Sequence, residues 1–160
     1  MKVALCHLEL SNGPEQKNIE LLEKAVRIAA EKGANWVITP ETAVQGYYFY
    51  KLAPETKVDK QPSSKLSCLL SLVKDYGLFL FLGCGEYDSE LNCNFNSCIV
   101  FEPSGEICGR HRKIISHGIG AEAWARTADV LKPIDCLNIK VGVLVCADAW
   151  SVSYTHLRAH

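Results

Sequence analysis

Apolar and polar positions alternate over residues 3–9, a pattern that predicts a first β-strand. Asn12-Gly13-Pro14 then marks a turn. From 18 to 32 the period lengthens. Ile19, Leu22, Val26 and Ala29 recur at helical spacing, and Gly33 stands where helices commonly stop. Residues 35–39 read as a second strand that Pro40 brings to an end. This β-α-β order predicts a parallel pair joined by a right-handed crossover.

Residues 42–59 form a longer connection with Tyr47-Tyr48-Phe49-Tyr50 in its middle. Ser63 or Ser64 is positioned to cap a second helix, which carries Leu66, Leu69, Leu70 and Val73 on one face and stops at Gly77. Residues 78–83 are continuously apolar and read as a buried strand. Residues 95–101 predict another strand, Glu102-Pro103-Ser104-Gly105 a turn, and 106–112 its hairpin partner. The stretch 114–132 is irregular. Residues 136–140 lead into Val141-Gly142-Val143-Leu144-Val145, read as a buried strand that ends on Cys146. The order implies one α/β domain over residues 1–150. Residues 151–160 show neither periodicity nor a capping signal and are expected to be a non-native or unstructured tail.

Composition narrows the function classes. With 160 residues, a folded chain buries roughly 70% of its extended surface, enough for a real core. A net charge of −1 leaves no electrostatic footprint for nucleic acid or an anionic membrane. No apolar run approaches the about 18 residues needed to span a bilayer, and the amino terminus lacks the apolar core of a signal peptide. A cytoplasmic location is therefore expected. None of the eight cysteines stands in a C-x-x-C spacing, which argues against a metal site and against a thioredoxin-like pair.

Three residue types at strand ends carry the chemistry: Glu41 after the second strand, Lys113 after the hairpin, and Cys146 after the last apolar run. A thiol with an ordinary pKa of about 8.5 needs a base or a cation to become a nucleophile. Glu41 suits the base, and later the activation of water. Lys113 suits stabilisation of a thiolate and of a developing oxyanion, with backbone N–H groups after Cys146 as further donors. The set fits acyl transfer from an amide or nitrile carbon. Tyr47, in the loop after Glu41, is placed to close over a pocket. Asp148 suits a turn or capping role, and Trp150 suits lining or packing.

Pro40-Glu41, Gly109-Arg110-His111-Arg112-Lys113 and Val145-Cys146-Ala147-Asp148-Ala149-Trp150 resemble the Glu, Lys and Cys motifs of the nitrilase superfamily of carbon–nitrogen hydrolases. Asn96-Ser97 and Pro103-Ser104-Gly105-Glu106 resemble that family's hairpin. The resemblance implies an α/β fold of the α-β-β-α sandwich type and hydrolysis of a non-peptide C–N bond without metal or organic cofactor. It implies Glu41 as general base, Lys113 as transition-state stabiliser, Cys146 as nucleophile and Glu122 as an orienting group. A small-molecule amide or nitrile as substrate, and homo-oligomers of the full-length form, follow from the same resemblance. Family members continue past the cysteine motif. The chain is therefore read as an amino-terminal portion, truncated after the cysteine strand and expected to fold poorly or lack activity as it stands.

Blander readings stand beside this one. Cys146 alone reads equally well as a core thiol, and Lys113 as part of a solvated basic run with Arg110, His111 and Arg112. A Cys–His pair would draw on His117. The competing class is a catalytically inactive α/β fragment or interaction module. Substrate identity, and hydrolysis against acyl transfer, stay open at this level.

Overall fold

The computed structural model describes residues 1–116 and 118–150. The tail 151–160 and His117 lie outside the described residues. Strand β1 (Val3–Leu5), helix α1 (Glu15–Glu31) and strand β2 (Trp36–Ile38) form the expected unit, with β1 and β2 parallel. Helix α2 (Phe49–Leu52) is a single turn in the long connection. Helix α3 (Ser67–Tyr76) ends at Gly77, whose left-handed φ of 62° suits a residue without Cβ. Neither Ser63 nor Ser64 caps α3. The chain enters through a 3-10 turn, Ser64–Leu66, and no side-chain cap bond is made there.

Strands β3 (Phe79–Asp88), β4 (Cys93–Phe101) and β5 (Ile107–Arg112) complete a sheet of order β1-β2-β3-β4-β5, antiparallel from β3 onward. Strand β3 runs well past the apolar stretch that signals it. Its polar end persists because Glu86 is bonded by Arg110, Arg112 and Ser97. Alternation splits the sheet's side chains between two cores. Val37, Leu80, Leu82, Ile99 and Phe101 pack on α1 and α3 through Leu22, Val26, Leu69 and Val73. Phe79, Phe81, Cys98 and Val100 face the other way, onto Ile134, Cys136 and Val145.

That second layer begins with β6 (Ile134–Cys136) and β7 (Ile139–Val141), an antiparallel pair. Here one expectation is corrected. The run 141–145 is a strand only as far as Val141, and residues 142–145 have no ladder partner among the described residues. Valine-rich sequence favours a pleated conformation, but a strand also needs a neighbour for its backbone groups. Cys146 therefore opens a 3-10 turn, Cys146–Trp150, and its side chain is exposed. Among the described residues no helix is long and apolar enough to cross a membrane.

Candidate active site

Glu41 is positioned by a close approach between two backbones. A Cβ on Gly83 would lie 2.1 Å from the Pro40 carbonyl oxygen, so only glycine lets β3 run beside the segment leaving β2. Thr39 locks the same crossing: its N–H donates to Phe81 O at 3.0 Å, and its hydroxyl oxygen accepts from Gly83 N–H at 2.9 Å. Beyond Glu41 the loop is buried rather than solvated. Gln45 accepts from Gly85 N–H at 2.7 Å and donates to Glu15 at 3.1 Å. Asn96 Nδ2 then donates to Glu41 Oε1 at 2.7 Å, orienting the carboxylate from β4.

Lys113 leaves β5 with its N–H on Asn96 O at 2.8 Å and its carbonyl on Ala128 N–H at 3.0 Å. Its side chain is 2% exposed, and Nζ lies 2.7 Å from Glu41 Oε1. The same Nζ bonds Glu122 Oε1, carried by the 3-10 turn Gly120–Glu122. Glu122 is held in turn by Ser116 Oγ at 3.0 Å and Tyr47 OH at 3.4 Å. Burial opposes charge on Lys113, but the hydrogen bonds to Glu122 and Glu41 outweigh it and hold the ammonium above its ordinary range. The reading of Lys113 as part of a solvated basic run is set aside by this burial. Arg110 and Arg112 instead bond Glu86 on the opposite face of β5.

Cys146 has a left-handed φ of 49°. Partial burial, and then the negative charge of Glu41, push its thiol above the ordinary range. Lys113 pulls the other way, as does the backbone N–H of Ala147. Proximity to the Glu41 carboxylate thus favours the protonated thiol. A cavity of about 260 Å³ opens beside Glu41 and Cys146, lined also by Trp36, Ile38, Phe81 and Val143.

Three of the candidates thus converge directly, Glu41, Lys113 and Glu122, and Cys146 shares a cavity with Glu41. Tyr47 joins through Glu122, and burial raises its phenol, helped by the charges of Glu122 and Glu41. Asp148 is fully buried and bonds His111 Nε2 at 2.8 Å. Trp150 ends the 3-10 turn 75% exposed and does not line the cavity. Trp124 packs against Phe49, with ring centroids 4.9 Å apart. Among the described residues no cluster of three or more His, Cys, Asp or Glu is arranged to hold a metal. Three contributors escape sequence reading: Gly83, Ser116 and the Asn96 amide. An Asn in a hairpin strand of otherwise apolar period was the one available signal, since a buried amide requires a partner.

A family model, carbon–nitrogen hydrolase, matches residues 2–159. The chain belongs to the carbon–nitrogen hydrolase family. Among curated relatives, Francisella tularensis citrullinase is 31% identical over 161 residues, covering 94% of this chain and 54% of the relative. Omega-amidase NIT2 of Xenopus tropicalis is 30% identical over 142 residues, covering 84% and 50%. The chain spans about half the length of these relatives. In fold it is similar to Saccharomyces cerevisiae Nit3 of the nitrilase superfamily, with a TM-score of 0.84, 22% identity, and coverage of 99% of this chain and 60% of that one.

Proposed function

We propose that the chain carries the nucleophile, the base and the stabilising cation of a hydrolase that cleaves a non-peptide C–N bond, amide or nitrile, through a cysteine thioester. The observation that carries this reading is the contact of Lys113 Nζ with Glu41 Oε1 at 2.7 Å, with Glu41 and Cys146 lining one cavity. Names of relatives such as omega-amidase and citrullinase support the substrate class.

The thiol is protonated near neutrality because its pKa is raised, so ionisation must accompany attack. With an amide, Sγ bonds to the carbonyl carbon while its proton passes to Glu41. The oxygen that gains charge meets the Lys113 ammonium, a contact worth roughly 3–4 kcal/mol in comparable sites. Glu41 then returns the proton to the leaving nitrogen as the C–N bond breaks, which leaves a thioester. Water, deprotonated by Glu41, attacks that carbon, and the sulfur departs and regains its proton. Glu122 keeps Lys113 aimed, and Tyr47 keeps Glu122 in place.

Limited iodoacetamide treatment at neutral pH, followed by peptide mapping, tests the assignment. Alkylation of Cys146 relative to the exposed Cys68 is expected to fall in Lys113→Ala, which removes the ammonium that draws the thiol toward ionisation. Equal labelling of the two thiols, unchanged by the substitution, would leave the inactive-fragment reading standing.

A further inference from the structure

We propose that Asp148 is a positioning residue, one that holds Cys146 in its left-handed conformation and ties the cysteine loop to the segment on both sides of Lys113. Its carboxylate is completely buried and has four donors. Oδ1 accepts from the N–H groups of Ile114 at 2.9 Å and Ile115 at 2.8 Å. Oδ2 accepts from Val145 N–H at 3.0 Å and lies 2.8 Å from His111 Nε2. The Asp148 N–H in turn donates to Val145 O at 3.1 Å. Val145 is thereby held at both of its backbone groups, and the next residue is Cys146 at φ 49°.

A β-carbon in that region costs of order 1 kcal/mol and persists only when its surroundings enforce it. Asp148 is what enforces it here. It also grips β5 before Lys113, at His111, and the chain after Lys113, at Ile114 and Ile115. Ammonium and sulfur therefore share one mechanical anchor. The other ring nitrogen, His111 Nδ1, is buried with no partner among the described residues. Because the carboxylate is ionised, Nε2–H donates to it. Burial opposes the Asp148 charge, yet these donors hold the carboxyl below its ordinary range and keep it ionised. Asparagine would aim an NH2 at donors that need an acceptor.

The proposal rests on the reading of the site given above, and the test separates the two. Iodoacetamide alkylation of Cys146 is followed on the full chain from about pH 6 to 10, with Cys68 as internal reference. Asp148→Asn is expected to slow Cys146 about tenfold relative to Cys68 and to move its pH midpoint upward. Adding Lys113→Ala should then shift the profile no further, because the ammonium has already lost its register. His111→Gln, which keeps a donor for the carboxylate, should retain the wild-type profile, and His111→Phe should lose it. A folded Asp148→Asn with the wild-type profile overturns the proposal, as does a Lys113→Ala shift that is equal in both backgrounds. Where Asp148→Asn does not fold, the His111 pair decides, and identical profiles for Gln and Phe overturn it. A wild-type Cys146 indifferent to Lys113→Ala overturns the reading of the site and the anchor with it. A wild type that responds to Lys113→Ala, beside an Asp148→Asn background that responds to it equally, removes the anchor alone.

Discussion

The two faces of β5 hold ion clusters of opposite composition. On the face shared with Ile99 and Phe95, one buried carboxylate, Glu86, serves two cations, Arg110 and Arg112, and Arg112 also reaches Asp88 at 2.8 Å. Arg112 lies over the Phe95 ring, 4.1 Å from its centroid. On the face shared with Cys98 and Asn96, one buried cation, Lys113, serves two carboxylates, Glu41 and Glu122. The Glu86 cluster is closed by guanidinium groups, and Cys84, which feels its charges, is fully buried. The Lys113 cluster opens onto a cavity and a sulfur. Both satisfy buried charge, so buried ion pairs alone do not mark a site. What separates them is a nucleophile next to a carboxylate that remains reachable.

Cys146→Ala should separate the clusters most sharply. It is expected to lower amide or nitrile turnover at least about 10³-fold while leaving stability nearly intact. Steady-state rates of the protein against thermal unfolding would check this, and retained turnover would end the mechanism.

Lys113→Ala comes next. It should cost about 10²–10³-fold in kcat and about 3–5 kcal/mol in stability, because two carboxylates lose a buried cation. Arg112→Ala on the other face should also destabilise, yet leave the rate of Cys146 alkylation unchanged. If Arg112→Ala slows that alkylation as much as Lys113→Ala, the two faces are not independent.

Gly83→Ala tests the crossing that aims Glu41. A Cβ forced against the Pro40 carbonyl should cost about 1–3 kcal/mol and slow turnover more than it alters thiol reactivity, since Glu41 moves and Cys146 does not. Denaturant titration beside single-turnover rates would show the split.

Two titrations refine the picture. The Cys146 thiol is raised, so its alkylation should climb with pH to a plateau beyond that of an ordinary thiol, and Glu41→Gln should bring the midpoint down by removing a raising charge. Asp148 is depressed in the folded state. Its stabilisation is therefore present above the unfolded carboxyl value of about 3.9 and lost as pH falls through the lower folded value. Asp148→Asn should flatten that acid limb in unfolding measured against pH. The smallest effect belongs to Tyr47→Phe, whose 3.4 Å bond to Glu122 is long. A drop of less than about tenfold in kcat is expected.

Much of the fold is legible along the chain. The helical period of Ile19, Leu22 and Val26 and the run into Phe81 announce α1 and β3, because burial on one face imposes its period on any sequence that folds this way. Glu41, Lys113 and Cys146 stand out because each is a reactive type at the end of a predicted strand. Less was readable where partners are distant in sequence. The polar half of β3 depends on arginines from β5, and among the described residues the run before Cys146 has no ladder of the kind its valines suggest.

Local sequence, then, settles periodicity, strand direction in the first β-α-β unit and the residue types available for chemistry, since these depend on neighbours a few positions apart. Tertiary structure alone decides which carboxylate meets which cation. Lys113 and Arg112 are adjacent in the chain and face opposite cores, whereas Lys113 and Glu41 are 72 residues apart and in contact. Pleat geometry and the Gly83 crossing make that choice, and neither is visible until the strands are laid side by side.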